Sequence, residues 1–313
     1  YVAGGGIESE PVWVARDGAF EPVWDEWTGL LNQVALSASG ARAAITISDG
    51  VRDDLWIRNT TSAVIPPQRV TFREVGVIRP VWYPNGDTIA YIANEADNEP
   101  AQLFGRRSDG VGEPAILLGV DDLGTDALLQ QVTLSDDARW AVYRVGTGVG
   151  TRDIYVKDLT TDAPGQPLIA ERFNEHSPDV SPDAAFVAYV SNESGSDEVY
   201  VRTFPDISGG KWVVSSEGGT EPVWSPDGTR IFYRDLQSRM IEATWVAGQG
   251  ISSREVLFDA RPYVGNNVHR NYDVHPDGER FFMLRLLDNP DEGIVWIENF
   301  AGELEAWERE NRE

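Results

Sequence analysis

Residues 221–235 read EPVWSPDGTRIFYRD. The apolar pair Val223-Trp224 leads into Ser225-Pro226-Asp227-Gly228, and the apolar run Ile231-Phe232-Tyr233 leads out. Ser at the first position, Pro at the second and Gly at the fourth suit a type I turn, because Pro presets φ near -65° and Gly relaxes the exit. The stretch therefore predicts a tight hairpin between two β-strands.

The phrase recurs. Aligned on its third position, copies fall at Ser39, Asn85, Asp137, Asp183, Asp227 and Asp277, in steps of 46, 52, 46, 44 and 50 residues. A strand-rich unit at this period is a propeller blade. The copies at Ser37–Gly40 and Ser135–Ala138 lack Pro or Gly and are expected to hold the turn less firmly. A second motif follows each turn: DDLWIRN (53–59), AQLFGRR (101–107), RDIYVKD (152–158), DEVYVRT (197–203), RMIEATW (239–245) and EGIVWIE (292–298). These are short, rich in β-branched and aromatic residues, and read as third strands. PQRVTF, PAILLG, QPLIAE, KWVVSS and REVLFD supply fourth strands in most units. No helical period competes.

The expected fold is thus all-β: a β-propeller of four-stranded antiparallel blades filling residues 1–313 as one domain. Residues 1–27 form a partial first blade, 28–300 six repeats, and 301–313 (AGELEAWERENRE) a short helix or tail. PVWVARDGAFEPV (11–23) supplies third and fourth strands whose first strand is missing. Seven units of about 46 residues need roughly 320, so seven blades are favoured, with six as the alternative. An incomplete first blade leaves unpaired backbone groups, and sequence upstream is expected to supply the missing strand.

Composition narrows the function. The 313 residues hold 51 acids against 26 bases, a net charge of -25, and no cysteine. Disulfides, thiolate zinc sites and cysteine nucleophiles are excluded. So acidic a surface repels phosphates and anionic headgroups, so nucleic acid is not an expected partner. No apolar run approaches the ~20 residues that cross a bilayer, so this segment is not expected to insert directly. The chain opens on Tyr1 rather than Met, which reads as a processed protein or a piece of a longer one.

The repeated WSPDG phrase with its apolar strand resembles the PD40 (WD40-like) repeat of TolB-like propellers. Longer phrases carry more: residues 173–205 (FNEHSPDVSPDAAFVAYVSNESGSDEVYVRTFP), 209–235 (GGKWVVSSEGGTEPVWSPDGTRIFYRD) and 271–285 (NYDVHPDGERFFMLR) are similar to the extracytoplasmic propeller of bacterial transmembrane serine/threonine protein kinases. The opening VWVARDG and closing IVWIENFAGELE resemble the ends of that propeller. The resemblance implies an extracytoplasmic, non-catalytic binding module on the periplasmic or extracellular face of a bacterial membrane. The kinase motifs themselves, GxGxxG, His-Arg-Asp and Asp-Phe-Gly, are absent from the sequence.

Catalytic, cofactor and metal sites are not expected. No GxSxG elbow occurs, and no DxDxDG calcium loop. The loop DDLGTD (121–126) is a weak cation candidate, and the acid pairs Asp53-Asp54, Asp121-Asp122 and Asp136-Asp137 read as solvated loop acids. The candidate binding rim is built by loops entering the first strands: Arg73, Arg79, Asn174, Glu175, His176, Thr220, Glu221, His269, Arg270 and Asn271. Equivalent propeller loops converge on one face, so His176 and His269 are expected on the same rim. Trp24, Trp27 and Trp307 are candidate partner anchors outside the repeat pattern. Trp82, Trp224, Tyr91, Tyr143, Tyr189 and Tyr233 recur at equivalent strand positions and are expected between blades.

Three functions fit: the sensor module of a membrane kinase-like protein, an accessory subunit docked on a transport, respiratory or photosynthetic membrane complex, or an accessory domain of a hydrolase. Protein partners are expected in the first two, either a membrane complex or the rest of a membrane-anchored chain.

Overall fold

The structure, a computed structural model, describes residues 7–62, 64–72, 76–95, 99–123, 128–147 and 151–287. Strands β1 (Ser9–Ala15) and β2 (Phe20–Pro22) come first. Five continuous blades follow. The first is β3 (Leu31–Leu36), β4 (Arg42–Ser48), β5 (Asp53–Asn59) and β6 (Gln68–Arg69). The second is β7 (Val77–Trp82), β8 (Thr88–Ala93), β9 (Gln102–Arg107) and β10 (Ala115–Leu118). The third is β11 (Leu128–Leu134), β12 (Trp140–Thr147), β13 (Thr151–Asp158) and β14 (Gln166–Ile169). The fourth is β15 (Glu175–Val180), β16 (Phe186–Ser191), β17 (Glu198–Thr203) and β18 (Lys211–Val213). The fifth is β19 (Thr220–Trp224), β20 (Arg230–Arg234), β21 (Arg239–Val246) and β22 (Gly250–Asp259).

The sixth blade closes the ring. β23 (Tyr272–Val274) and β24 (Arg280–Leu286) pair with the N-terminal strands in the order β2-β1-β24-β23. Val12 lies opposite Met283 and Trp13 opposite Phe282 in that antiparallel ladder. The innermost strands β3, β7, β11, β15, β19 and β23 each touch the next, and β23 touches β3. The described residues therefore form a six-bladed propeller. Seven blades come from counting one blade twice, because 11–23 and 271–285 are its two halves. The strand missing beside β1 is β24 rather than an upstream segment, so that edge is paired within the chain. The third strand expected at 292–298 and the tail at 301–313 lie outside the described residues, and β1 occupies the third-strand place.

All six turns close alike. The fourth residue donates its N–H to the first residue's carbonyl at 2.7–2.9 Å in every copy, including Ser37–Gly40 and Ser135–Ala138. In three copies the serine hydroxyl donates to the turn aspartate (Ser135 to Asp137, Ser181 to Asp183, Ser225 to Asp227) and accepts the N–H five residues on. The copies differ in strain. The fourth position is left-handed throughout, with φ of 70° at Gly40 and 68° at Gly228 but also 56° at Ala138 and 52° at Ala184. A Cβ is disfavoured there. Ala138→Gly and Ala184→Gly are each expected to stabilise the protein by about 0.5–1 kcal/mol, part of the relieved strain being offset by the freer unfolded chain. Urea melts of the two variants check this, and a loss of stability in both overturns it.

The core lies between blades. Ala44 and Leu55 of the first blade pack with Trp82 and Tyr91 of the second, and Ala188 and Val199 of the fourth with Trp224 and Tyr233 of the fifth. Tyr143 and Tyr189 sit in the corresponding seams, so the recurrent aromatics hold blade to blade as expected.

Candidate binding site in the central channel

The repeat sets the lining of the channel. On the face that carries the turns, the second turn residue of each blade rings an open mouth: Ala38, Pro84, Asp136, Pro182, Pro226 and Pro276. One layer deeper lie Ala35, Val81, Thr133, Asp179, Val223 and Asp273. The cavity between these rings is about 200 Å³. Trp82 and Trp224 back its wall.

The two acids of the floor have structural partners. Asp179 accepts the N–H of Trp224 at 2.8 Å, and Asp273 accepts that of Leu36 at 2.8 Å, so each ties its own blade to the next. Arg270 enters from below and donates to Asp179 at 3.0 Å. Burial pushes the Asp179 carboxyl up to about 6 against the pull of Arg270.

At the other end of the same strands the innermost chains are bulged. The ladder shifts register between Ile78 and Val81, between His176 and Asp179, and between Thr220 and Val223. Arg79, Ser177 and Glu221 occupy the equivalent bulge position, each left-handed (φ 56°, 52° and 56°) and each followed by proline. A bulge of this kind re-aims a side chain, and here the three residues line the channel end.

Glu221 is 1% exposed and clamps the segment that precedes β23. Its carboxylate accepts the N–H of Asn266 at 2.9 Å and of Asn271 at 2.7 Å, and Arg234 Nε lies 3.2 Å away. Arg234 also donates to the carbonyls of Ala260 and Val264. The segment 264–271 is thereby held over the channel end. From the opposite side of the ring, Arg144 on β12 donates to Val268 O at 2.6 Å.

Of the expected rim, Arg79, His176 and His269 converge here, since their charges act on one another or on Arg144. His176 and His269 are nevertheless buried rather than presented on an open rim. Thr220 pairs with Arg234 in the ladder, and Asn174 donates its N–H to Asn192 Oδ1. Arg73 and Trp307 lie outside the described residues. Trp24 is 4% exposed, donates to Asn59 O and packs with Trp27, Phe282 and the Arg58 guanidinium, which leaves Trp27 alone partly at the surface. Asp54 is buried against Arg69 and Thr71, and Asp122 pairs with Lys157, so neither is a solvated loop acid. No group of three or more metal-ligating side chains occurs among the described residues.

Sequence reasoning passed over Arg144 and Arg234. Both stand nine residues after a turn serine, where the other copies carry Thr46, Ile92, Val190 and Leu284. A basic residue breaking an apolar second strand at the same repeat position was the legible signal.

His176 Nδ1 lies 3.0 Å from Ser177 Oγ and its Nε2 is 3.6 Å from Asp197, a spacing reminiscent of a hydrolytic triad. Ser177 is 1% exposed and His176 0%, so the trio is buried at the channel end rather than presented at the surface.

No family model matches the chain, and no curated protein does. Solved structures do. A TolB-type protein from Agrobacterium tumefaciens is 16% identical with a TM-score of 0.68, over 91% of this chain and all of that one. TolB from Acinetobacter baumannii is 17% identical with a TM-score of 0.52, over 81% of this chain and 63% of that one. A prolyl endopeptidase structure is 13% identical with a TM-score of 0.53, over 87% of this chain but 46% of that one. At these identities the likeness establishes the fold alone: a six-bladed β-propeller whose architecture is similar to that of the TolB structures.

Proposed function

We propose that this chain is a non-catalytic binding propeller that seats a protein partner on its turn face. One observation carries the reading. All six turns deliver their second residue to a single open mouth, and four of those six residues are prolines. Rigid apolar groups around an open, partly charged cavity favour an inserted segment of a partner, because little side-chain entropy is lost on contact. The surface charge of -25 favours a partner with a basic docking face.

The resemblance to kinase-linked propellers supports an extracytoplasmic sensor module, and the likeness to TolB-type structures supports an accessory subunit on the periplasmic face of a membrane complex. Among the described residues no helix is long and apolar enough to cross a membrane. A photo-crosslinking residue at Ala38 or Asp136, in the organism of origin, separates binding at this mouth from binding elsewhere. Discrete adducts from both positions are expected, with none from Leu236 on the opposite face. Adducts from Leu236 alone overturn the reading. Peptides of a kinase on the same polypeptide favour the sensor, and peptides of separate membrane subunits favour the accessory role.

A further inference from the structure

The fifth and third blades carry the same slot in two charge states. In the fifth, Arg234 on the second strand meets Glu221 at the bulge of the first strand. In the third, Arg144 stands at the position of Arg234, and the position of Glu221 is taken by the neutral Gln131. Arg144 is 3% exposed. Its Nη1 reaches Val268 O, and its Nε has no partner. The neighbouring charges that act on it are Arg79 and Arg152, both of its own sign.

The surroundings repeat the imbalance. Arg79 donates through Nε to Gln130 O, but its buried Nη1 has no partner. His269 is 5% exposed with an unpartnered Nδ1 and feels Arg79, Arg144 and His176. The side-chain oxygen of Gln131 is also unpartnered. Among the described residues no carboxylate lies within ion-pair distance of Arg79 or Arg144. Of the nearby acids, Asp197 faces His176, and Glu175 accepts the Ser191 hydroxyl and is in ion-pair contact with neither arginine. Burial lowers Arg79 to about 10, and burial together with the neighbouring Arg79 and Arg152 lowers Arg144 to about 9. A buried guanidinium with a free N–H and no counter-charge is costly, and an oxyanion relieves that cost by accepting both its proton and its charge. That such cations gather inside a protein of net charge -25 sets the site apart from its surface.

We propose that the channel end opposite the turn face binds a small oxyanion, a phosphate or carboxylate group, held by Arg144 and Arg79 with His269 beside it. The ligand occupies the electrostatic role that Glu221 plays for Arg234. This site lies at the far end of the inner strands from the turn-face mouth, so it stands whether or not that mouth binds a protein.

Thermal unfolding of the full chain tests it, with inorganic phosphate and malonate compared against chloride at matched ionic strength. One or both oxyanions are expected to raise the melting temperature in a saturable way. A phosphate-selective response assigns a phosphoryl group, and a malonate-selective response a carboxylate. Arg144→Gln is expected to weaken the response by about tenfold or more. Because that variant removes a bond to Val268, Gln131→Glu is the decisive partner: it supplies the missing carboxylate from within. It is expected to melt higher than the natural protein without oxyanion and to lose the oxyanion response. No oxyanion effect beyond chloride overturns the proposal. So does a Gln131→Glu protein that is less stable and still responds.

Discussion

Glu221→Ala is expected to destabilise the protein by about 4 kcal/mol, the scale for removing one partner of a buried ion pair. The variant leaves Arg234, 5% exposed, without its carboxylate and frees the amides of Asn266 and Asn271. The second effect is local. The segment 264–271 loses its clamp, so hydrogen exchange at those two amides is expected to rise faster than in the β16–β17 ladder of the fourth blade. Glu221→Gln keeps an acceptor oxygen and loses the charge, and is expected to cost about half as much. Replacing Arg234 as well by Met removes the stranded cation, so the double variant is expected to be more stable than the two single losses added together. Equal exchange rates at all these amides in Glu221→Ala would refute the clamp.

Glu175→Gln is expected to act in the other direction and to depend on pH. Glu175 is 1% exposed, and its Oε2 has no partner. Burial, with Asp153 and Glu171 nearby, lifts its carboxyl from 4.5 to about 7. The folded state therefore holds this proton more tightly than the unfolded chain does. Its stabilising contribution is complete below about pH 4.5, declines as pH rises, and has become a fixed deficit above about pH 7. Glutamine keeps the shape without the charge. The variant is expected to gain about 2 kcal/mol near pH 8, after a discount for solvent screening, and nothing near pH 4.5. Urea melts at both pH values decide it. A gain that is the same at both pH values means that the ionisation of Glu175 is not its origin.

The two predictions touch neighbouring blades and opposite chemistry. Glu221 is a charge that the fold has fully partnered, and Glu175 is one that it has not. Glu175 stands where the other copies carry Leu31, Val77, Leu129, Gly219 and His269, and Glu221 where they carry Gln33, Arg79, Gln131, Ser177 and Asn271.

Much of this was legible in the sequence, and for a local reason. Turn chemistry is decided by four residues, so Ser225-Pro226-Asp227-Gly228 and its copies marked every first hairpin. Alternation in the flanking runs marked the strands, and recurrence at a fixed period marked the blades. The aromatics of the second strands were recognisable as seam residues because four of the six copies carry a tyrosine at the same position. Tertiary structure alone decided the blade count. Whether 11–23 begins a seventh blade or completes the sixth depends on a pairing between Val12 and Met283, nearly the whole chain apart, and no local pattern encodes a partner at that distance. The charge balance of the channel was hidden because it is set around the ring. Arg144 and Arg234 look alike along the chain, and only closure of the ring brings Arg79 of the second blade and His269 of the segment before β23 beside Arg144.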